Sequence, residues 1–122
     1  MGKKILIVED NADILSLVKD RCEFEGYSVI TAQDGQLGLE KARAEKPDLI
    51  ILDLMLPKAD GYKVCGLFKT DTRYSKIPII IFTAKAKEKD IELSHEVKAD
   101  AYIPKPFDEK ILMGKIKELI QE

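Results

Sequence analysis

The 122-residue sequence has little of what marks several common protein classes. Its two cysteines, Cys22 and Cys65, form neither a CxxC pair nor a metal-binding spacing with the lone His95. We therefore expect ordinary packing thiols in a reducing cytoplasm. Lysine plus arginine (20) and aspartate plus glutamate (22) nearly balance, at a net charge of -2. The chain thus lacks the basic stripe that tracks a nucleic-acid backbone, and direct DNA or RNA binding is not expected.

Long hydrophobic runs are also missing. The start of the chain leads into only four apolar residues, Ile5 to Val8, which is too few for a signal-peptide core or a membrane span. No low-complexity linker and no repeat of solenoid length interrupts the sequence. A chain of 122 residues fits one domain that buries about two-thirds of its unfolded surface. We expect one compact core.

Five short apolar runs, rich in β-branched residues and separated by helix-length segments, predict strands buried in a parallel sheet. They are Lys4 to Val8, Tyr27 to Thr31, Leu49 to Leu52, Ile79 to Phe82 and Ala101 to Ile103. This alternation predicts an α/β fold. We expect a five-stranded parallel sheet in the order 2-1-3-4-5 with helices on both faces, a flavodoxin-like three-layer sandwich.

Five helices are predicted between and after these strands. The first begins after Asn11, a good N-cap, and ends near Gly26. The second runs from Gly35 to Ala44, because Pro47 prevents continuation. A third follows Asp60-Gly61, with Val64, Leu67 and Phe68 on its apolar face, and a weaker fourth starts near Glu88. The fifth opens at Asp108 and turns five residues inward: Ile111, Leu112, Ile116, Leu119 and Ile120.

Acidic residues follow two of the predicted strands. The first strand runs into Glu9 and Asp10, and the third runs into Asp53. In the order 2-1-3-4-5 these strands are neighbours, so the three carboxylates meet at the edge where parallel sheets bind ligands. At about 5 Å and an effective dielectric near 20, each pair repels by roughly 3 kcal/mol. A divalent cation held by oxygen ligands is the commonest reason for such a cluster, and Mg²⁺ fits best.

Two further strands place reactive groups at the same edge, Thr83 after the fourth and Lys105 after the fifth. Each residue has an ordinary alternative role, since acids after strands cap helices, threonines satisfy backbone groups and lysines are solvated. Together the five groups favour Mg²⁺-dependent phosphoryl transfer. Asp53 is then the nucleophile, while Lys105 and Thr83 contact phosphate oxygens.

Four fragments of the sequence resemble the receiver domains of two-component response regulators. They are Glu9-Asp10-Asn11, Asp53-Leu54-Met55-Leu56-Pro57 with Asp60-Gly61, Thr83-Ala84 and Lys105-Pro106-Phe107. The resemblance covers essentially the whole chain. It implies that Asp53 is the phosphoacceptor, and that Asp10, Asp53 and the backbone carbonyl of Met55 ligate Mg²⁺. It also implies that Glu9 acts through a water, and that Tyr102 moves inward when Thr83 is drawn to the phosphoryl group.

The resemblance further implies a phosphorylation-dependent switch, with residues 1–122 forming a single receiver domain and no effector domain in this chain. The phosphoryl donor is expected to be a sensor histidine kinase, a phosphotransfer protein or a small acyl phosphate. Output passes to a downstream effector protein or to a C-terminal effector missing from the chain. We expect a cytoplasmic protein with no membrane contact.

Three alternatives share part of this pattern. A haloacid-dehalogenase-type phosphatase also uses an aspartate nucleophile and Mg²⁺, but it needs a second acid where this chain has Met55. A flavodoxin-like electron carrier needs a hydroxyl- and glycine-rich loop after the first strand, and Glu9 and Asp10 would repel its flavin phosphate. A degenerate receiver would bind partners without being phosphorylated.

Overall fold

The sheet at the centre of the molecule has the strand order predicted from the sequence. The structure is a computed structural model that describes residues 3–53, 66–68, 70, 76–83, 100–104 and 108–120. Within these residues, the strands are β1 (Lys4–Val8), β2 (Ser28–Ala32), β3 (Leu49–Asp53), β4 (Ile79–Thr83) and β5 (Ala101–Pro104). They form one five-stranded sheet in the order β2-β1-β3-β4-β5, and every neighbouring pair is parallel. The predicted fold class is confirmed.

Three helices in the described part of the chain have complete bounds: α1 (Ala12–Phe24), α2 (Gly35–Glu45) and a C-terminal helix (Glu109–Ile120). Residues 66–68 and 70 are also helical, where the third helix was predicted. The predicted fourth helix lies outside the described residues, as do Cys65 and His95. None of the described helices is long and apolar enough to cross a membrane.

Two apolar cores cover opposite faces of the sheet, as the alternation of side chains along a strand requires. One contains Ile5 and Ile7 of β1 together with residues of α1 and the C-terminal helix. The other contains Leu6 and Val8, Ala42 of α2, and Phe68. Helices therefore lie on both sides of the sheet, which gives the three-layer sandwich.

Helix α1 begins where its cap predicts. The side chain of Asn11 accepts hydrogen bonds from the backbone N–H groups of Asp13 (3.0 Å) and Ile14 (3.1 Å), so two free donors of the first turn are satisfied. At the other end, Gly26 has a φ of 96°, a conformation that glycine adopts without steric cost. Both ends agree with the prediction.

Helix α2 has a cap that the sequence analysis did not identify. Asp34 accepts a hydrogen bond from the backbone N–H of Leu37 at 2.8 Å. At its C-terminus, Lys46 adopts the left-handed conformation with a φ of 50°, and Pro47 follows. Gly38 lies against β1 so closely that a Cβ there would be 2.9 Å from a methyl group of Val8.

The predicted inner face of the C-terminal helix is wrong at one residue. Ile111 was expected inward, but it is 63% exposed, whereas Met113 is 3% exposed and packs in the core. The buried stripe is centred on Ile116, and at about 100° per residue Ile111 points about 140° away from it. Leu119 and Ile120 are half-buried against the core, as predicted.

Candidate functional site

Strands β1 and β3 carry the three predicted acids to one edge of the sheet. The two strands pair with Val8 opposite Leu52, and Glu9 and Asp53 directly follow these partners. The backbone N–H of Glu9 donates to the carbonyl of Ala32 at 3.0 Å, which continues the contact with β2 past the end of β1. Glu9 is therefore held against β2 and lies next to Asp53 at the end of β3.

The three carboxylates lie close together. One carboxylate oxygen each from Glu9, Asp10 and Asp53 can be chosen so that all lie within 4.8 Å of one another. Glu9 is 0% exposed and Asp53 is 4% exposed, whereas Asp10 is exposed to solvent. Two buried acids and one exposed acid therefore form a negatively charged cluster that is reached from the side of Asp10.

The start of α1 completes this side of the cluster. The backbone N–H of Asn11 donates to a carboxylate oxygen of Glu9 at 3.3 Å. The capping side chain is that of Asn11, so the role of helix cap does not explain Asp10. A helix N-terminus carries a partial positive charge, which favours negative side chains beside it. The backbone thus offsets part of the repulsion among the acids.

Strand β4 brings Thr83 to the same edge. Asp53 is paired with Phe82 in the β3·β4 register, so Thr83 lies one residue further along the neighbouring strand. Thr83 is in turn paired with Pro104 at the end of β5. The backbone therefore places Thr83 beside the acid cluster, on the side away from β1.

Tyr102 lies in the middle of β5, opposite Ile81 of β4. Its side chain is partly buried and packs against the core on the α2 side of the sheet. Lys105 and Met55, the remaining predicted site residues, lie outside the described residues. The last described residue of β5, Pro104, directly precedes Lys105.

The donor set suits a hard divalent cation. Carboxylate oxygens are the ligands that Mg²⁺ takes in proteins, and Mg²⁺ keeps several waters when few protein ligands are available.

The two backbone contacts of this site, Asn11 to Glu9 and Glu9 to Ala32, were not identified from the sequence. In each contact the donor is a backbone N–H, which every residue except proline carries, so no residue type in the sequence signals the contact.

Comparison with known proteins identifies the class to which this site belongs. The family model of the response regulator receiver domain matches residues 5–117. The chain therefore belongs to the response regulator receiver domain family, and its role is that of a phosphoryl acceptor in two-component signalling. The alternative of a haloacid-dehalogenase-type phosphatase has no support.

Curated relatives are longer than this chain. It is 45% identical to the alkaline phosphatase synthesis transcriptional regulatory protein PhoP of Bacillus subtilis over 99% of its own length, which corresponds to 50% of that protein. The chain thus spans about half the length of the curated relatives it matches.

Solved structures agree with the fold. A CheY-like response regulator receiver domain from Methanospirillum hungatei is 35% identical, with a TM-score of 0.91 over 99% of this chain and 95% of that one. The receiver domain of a sensor histidine kinase from Pseudomonas aeruginosa is 29% identical over the full length of both chains, with a TM-score of 0.91. That structure has a magnesium ion coordinated in its active site cleft.

Proposed function

We propose that Asp53 is the phosphoacceptor and that the acid cluster binds one Mg²⁺. Asp10, Asp53 and the backbone carbonyl of Met55 would be direct ligands, and Glu9 would act through a water. The support is the mutual approach of three carboxylates to within 4.8 Å, which is costly without a cation. The magnesium ion in the related Pseudomonas receiver supports the same choice of metal.

Asp53 is favoured as the nucleophile by its place in the sheet. It ends the central strand, β3, which has β1 on one side and β4 on the other. Of the three acids, it alone lies between the acidic half of the site and the half that carries Thr83. A carboxylate oxygen of Glu9 accepts a hydrogen bond from the backbone N–H of Asn11, which makes Glu9 less available to attack an incoming phosphoryl group.

The reaction moves a phosphoryl group from a phosphohistidine nitrogen, or from an acyl phosphate oxygen, to a carboxylate oxygen of Asp53. The bond from phosphorus to the donor breaks and the bond to Asp53 forms, giving an aspartyl phosphate. When bound, Mg²⁺ would supply positive charge that offsets the negative charge of the phosphoryl group. We assign Thr83 and Lys105 to the phosphoryl oxygens, through a hydroxyl hydrogen bond and an ammonium contact.

The signal is transmitted by a difference between a partner's affinity for the phosphorylated chain and its affinity for the unphosphorylated chain. A partner that prefers the phosphorylated arrangement of the surface around β5 binds more tightly after phosphorylation, and this difference transmits the state of Asp53. Tyr102 is the residue proposed to move inward with Thr83. We propose a sensor histidine kinase or phosphotransfer protein as donor, an effector protein or effector domain as recipient, and the cytoplasm as the compartment.

The experiment is incubation of the protein with Mg²⁺ and acetyl phosphate, followed by intact-mass measurement. We expect the mass of one phosphoryl group on the wild-type chain and none on Asp53→Asn. Asp20→Asn is the matched control, because it removes an exposed acid of α1 away from the cluster, and it should label like wild type. Full labelling of Asp53→Asn would show that another residue is the acceptor, and an unlabelled wild type would indicate a receiver that only binds partners.

A further inference from the structure

The inner strands of the sheet are apolar on both faces. All four residues of β3 that precede Asp53, and all four from Ile79 to Phe82 in β4, are 0% exposed. In a sheet with one solvated face, a shift of one residue moves apolar side chains into water, and this cost specifies the register. Here the same shift exchanges one buried apolar residue for another in the middle of each strand, so the register is decided mainly by the polar residues at the strand ends. The contacts of those end residues are therefore the ones to consider.

Asp48 supplies such a determinant where β3 meets β1. Its backbone N–H donates to the carbonyl of Lys4 at 2.7 Å, and its carboxylate accepts from the backbone N–H of Lys4 at 2.8 Å. One residue thus makes two hydrogen bonds with one residue of the neighbouring strand. The first β1·β3 pair, Ile5 with Leu49, follows immediately.

Asp100 makes the same pair of contacts where β5 meets β4. Its backbone N–H donates to the carbonyl of Ile79 at 2.9 Å, and its carboxylate accepts from the backbone N–H of Ile79 at 2.9 Å. The first β4·β5 pair, Ile80 with Ala101, follows immediately. The arrangement therefore occurs twice, each time one residue before the ladder begins.

Both aspartates lie at the end of the sheet opposite the acid cluster. Asp48 precedes Asp53 by five residues, about 17 Å along an extended strand, so it cannot contact a ligand bound there. A shift of β3 by one residue against β1 would move Asp53 by about 3.3 Å relative to Glu9. That displacement is comparable to the 4.8 Å within which the carboxylate oxygens lie, so it would break up the cluster.

We infer that Asp48 and Asp100 are positioning residues, each of which fixes the register of the strand that follows it. Asp48 aligns β3 with β1 and so brings the three acids together. Asp100 aligns β5 with β4 and so places Thr83 opposite the strand that leads to Lys105. The functional part of this inference rests on the proposed Mg²⁺ and phosphoacceptor roles, whereas the structural part does not.

The test compares Asp48→Ala, Asp48→Asn and Asp100→Ala with Asp34→Ala. Asp34 is the matched control because its carboxylate also accepts a hydrogen bond from a backbone N–H, that of Leu37 at 2.8 Å, but in a helix cap and not in the sheet. Amide hydrogen exchange measured by NMR reports the strand pairing, and a Mg²⁺ titration reports the acid cluster. Urea unfolding gives the loss of global stability for each variant.

Asp48→Ala should speed hydrogen exchange at the amides of β1 and β3 that lie nearest the acid cluster. After correction for the loss of global stability, this increase should be at least about threefold larger than the increase caused by Asp34→Ala. The Mg²⁺ affinity of Asp48→Ala should fall about threefold, as expected if about one third of the molecules keep the correct register. Asp48→Asn should restore both properties, because the amide oxygen accepts the same hydrogen bond. Asp100→Ala should speed exchange in β4 and β5 and leave Mg²⁺ affinity at the wild-type value.

Three results would overturn the inference: faster exchange in Asp48→Ala that is confined to Lys4 and its neighbour, no recovery in Asp48→Asn, or weakened Mg²⁺ binding in Asp100→Ala. A wild-type chain that binds no Mg²⁺ would contradict the proposed function instead. In that case the exchange measurements alone still decide whether the two aspartates fix the register.

Discussion

Replacing Asp10 with asparagine tests whether the acid cluster stores electrostatic repulsion. At 4.8 Å, two unit charges repel by about 0.9 kcal/mol at the dielectric constant of water and by about 3.5 kcal/mol at an effective dielectric of about 20. Asp10 is exposed, so the lower value applies. Two pairs contain Asp10, and the favourable interaction of its charge with the start of α1 offsets about 0.5 kcal/mol. We expect metal-free Asp10→Asn to be about 1 kcal/mol more stable than wild type.

Urea unfolding with and without Mg²⁺ measures both consequences of the substitution. At a Mg²⁺ concentration ten times the dissociation constant, the wild-type chain should gain about 1.4 kcal/mol, because the cation binds only the folded state. Asp10→Asn lacks a ligand, so this gain should shrink while the metal-free stability rises. Asp13→Asn is the control, since Asp13 is also an acid at the start of α1 but lies outside the cluster, and it should lower stability slightly. A less stable Asp10→Asn with an unchanged Mg²⁺ gain would refute the proposed site.

The same substitution at two glycines should have opposite effects, which chemical denaturation can measure. Gly38→Ala should lower the free energy of unfolding by about 1 to 2 kcal/mol, since its Cβ would lie 2.9 Å from a methyl group of the buried Val8. Gly114→Ala should raise it by up to about 1 kcal/mol through helix propensity, because a Cβ there would have nothing within 4 Å. Burial, followed by the charges of nearby glutamates, raises the pKa of Cys22 from 9.0 to about 12. The folded state keeps the thiol proton up to a higher pH than the unfolded state does, so this contribution to the free energy of unfolding is complete below pH 9. It is lost between pH 9 and pH 12, by up to about 1.4 kcal/mol per pH unit. The stability of wild type relative to Cys22→Ala should fall over that interval, and a constant difference would contradict the raised pKa.

Strand positions could be predicted to within one residue because most of the strands are short apolar runs with polar residues at their ends. The predicted second strand began at Tyr27, whereas β2 begins at Ser28, a shift of the size at which strand boundaries are ambiguous. The start of α1 was predictable because Asn11 directly precedes the apolar periodicity. Ile111 was misassigned because its apolar side chain suggested burial that the helical phase does not allow.

The acid cluster could be predicted because it follows from topology alone. Once β1 and β3 are parallel neighbours, the residues after them must lie at one edge, and the structure places oxygens of all three acids within 4.8 Å. Contacts between distant residues could not be predicted in the same way. Asp48 and Lys4 are 44 residues apart, and Asp100 and Ile79 are 21 apart. Each aspartate directly precedes a strand, but no local pattern indicates which residue its carboxylate contacts.

Repulsion within the acid cluster at one end of the sheet makes a polar contact at the opposite end important for the site. Three like charges at the end of β1 and β3 repel and so tend to move the two strands relative to each other. The apolar residues between them resist separation, because all of them are buried. Within the apolar run each position resembles the next, so these residues oppose sliding less than the polar residues at the strand ends do. A hydrogen-bonded aspartate at the opposite end opposes the sliding without adding charge to the cluster. A functional acid site on an all-apolar strand pair therefore favours a polar contact at the far end, and Asp48 lies at that point.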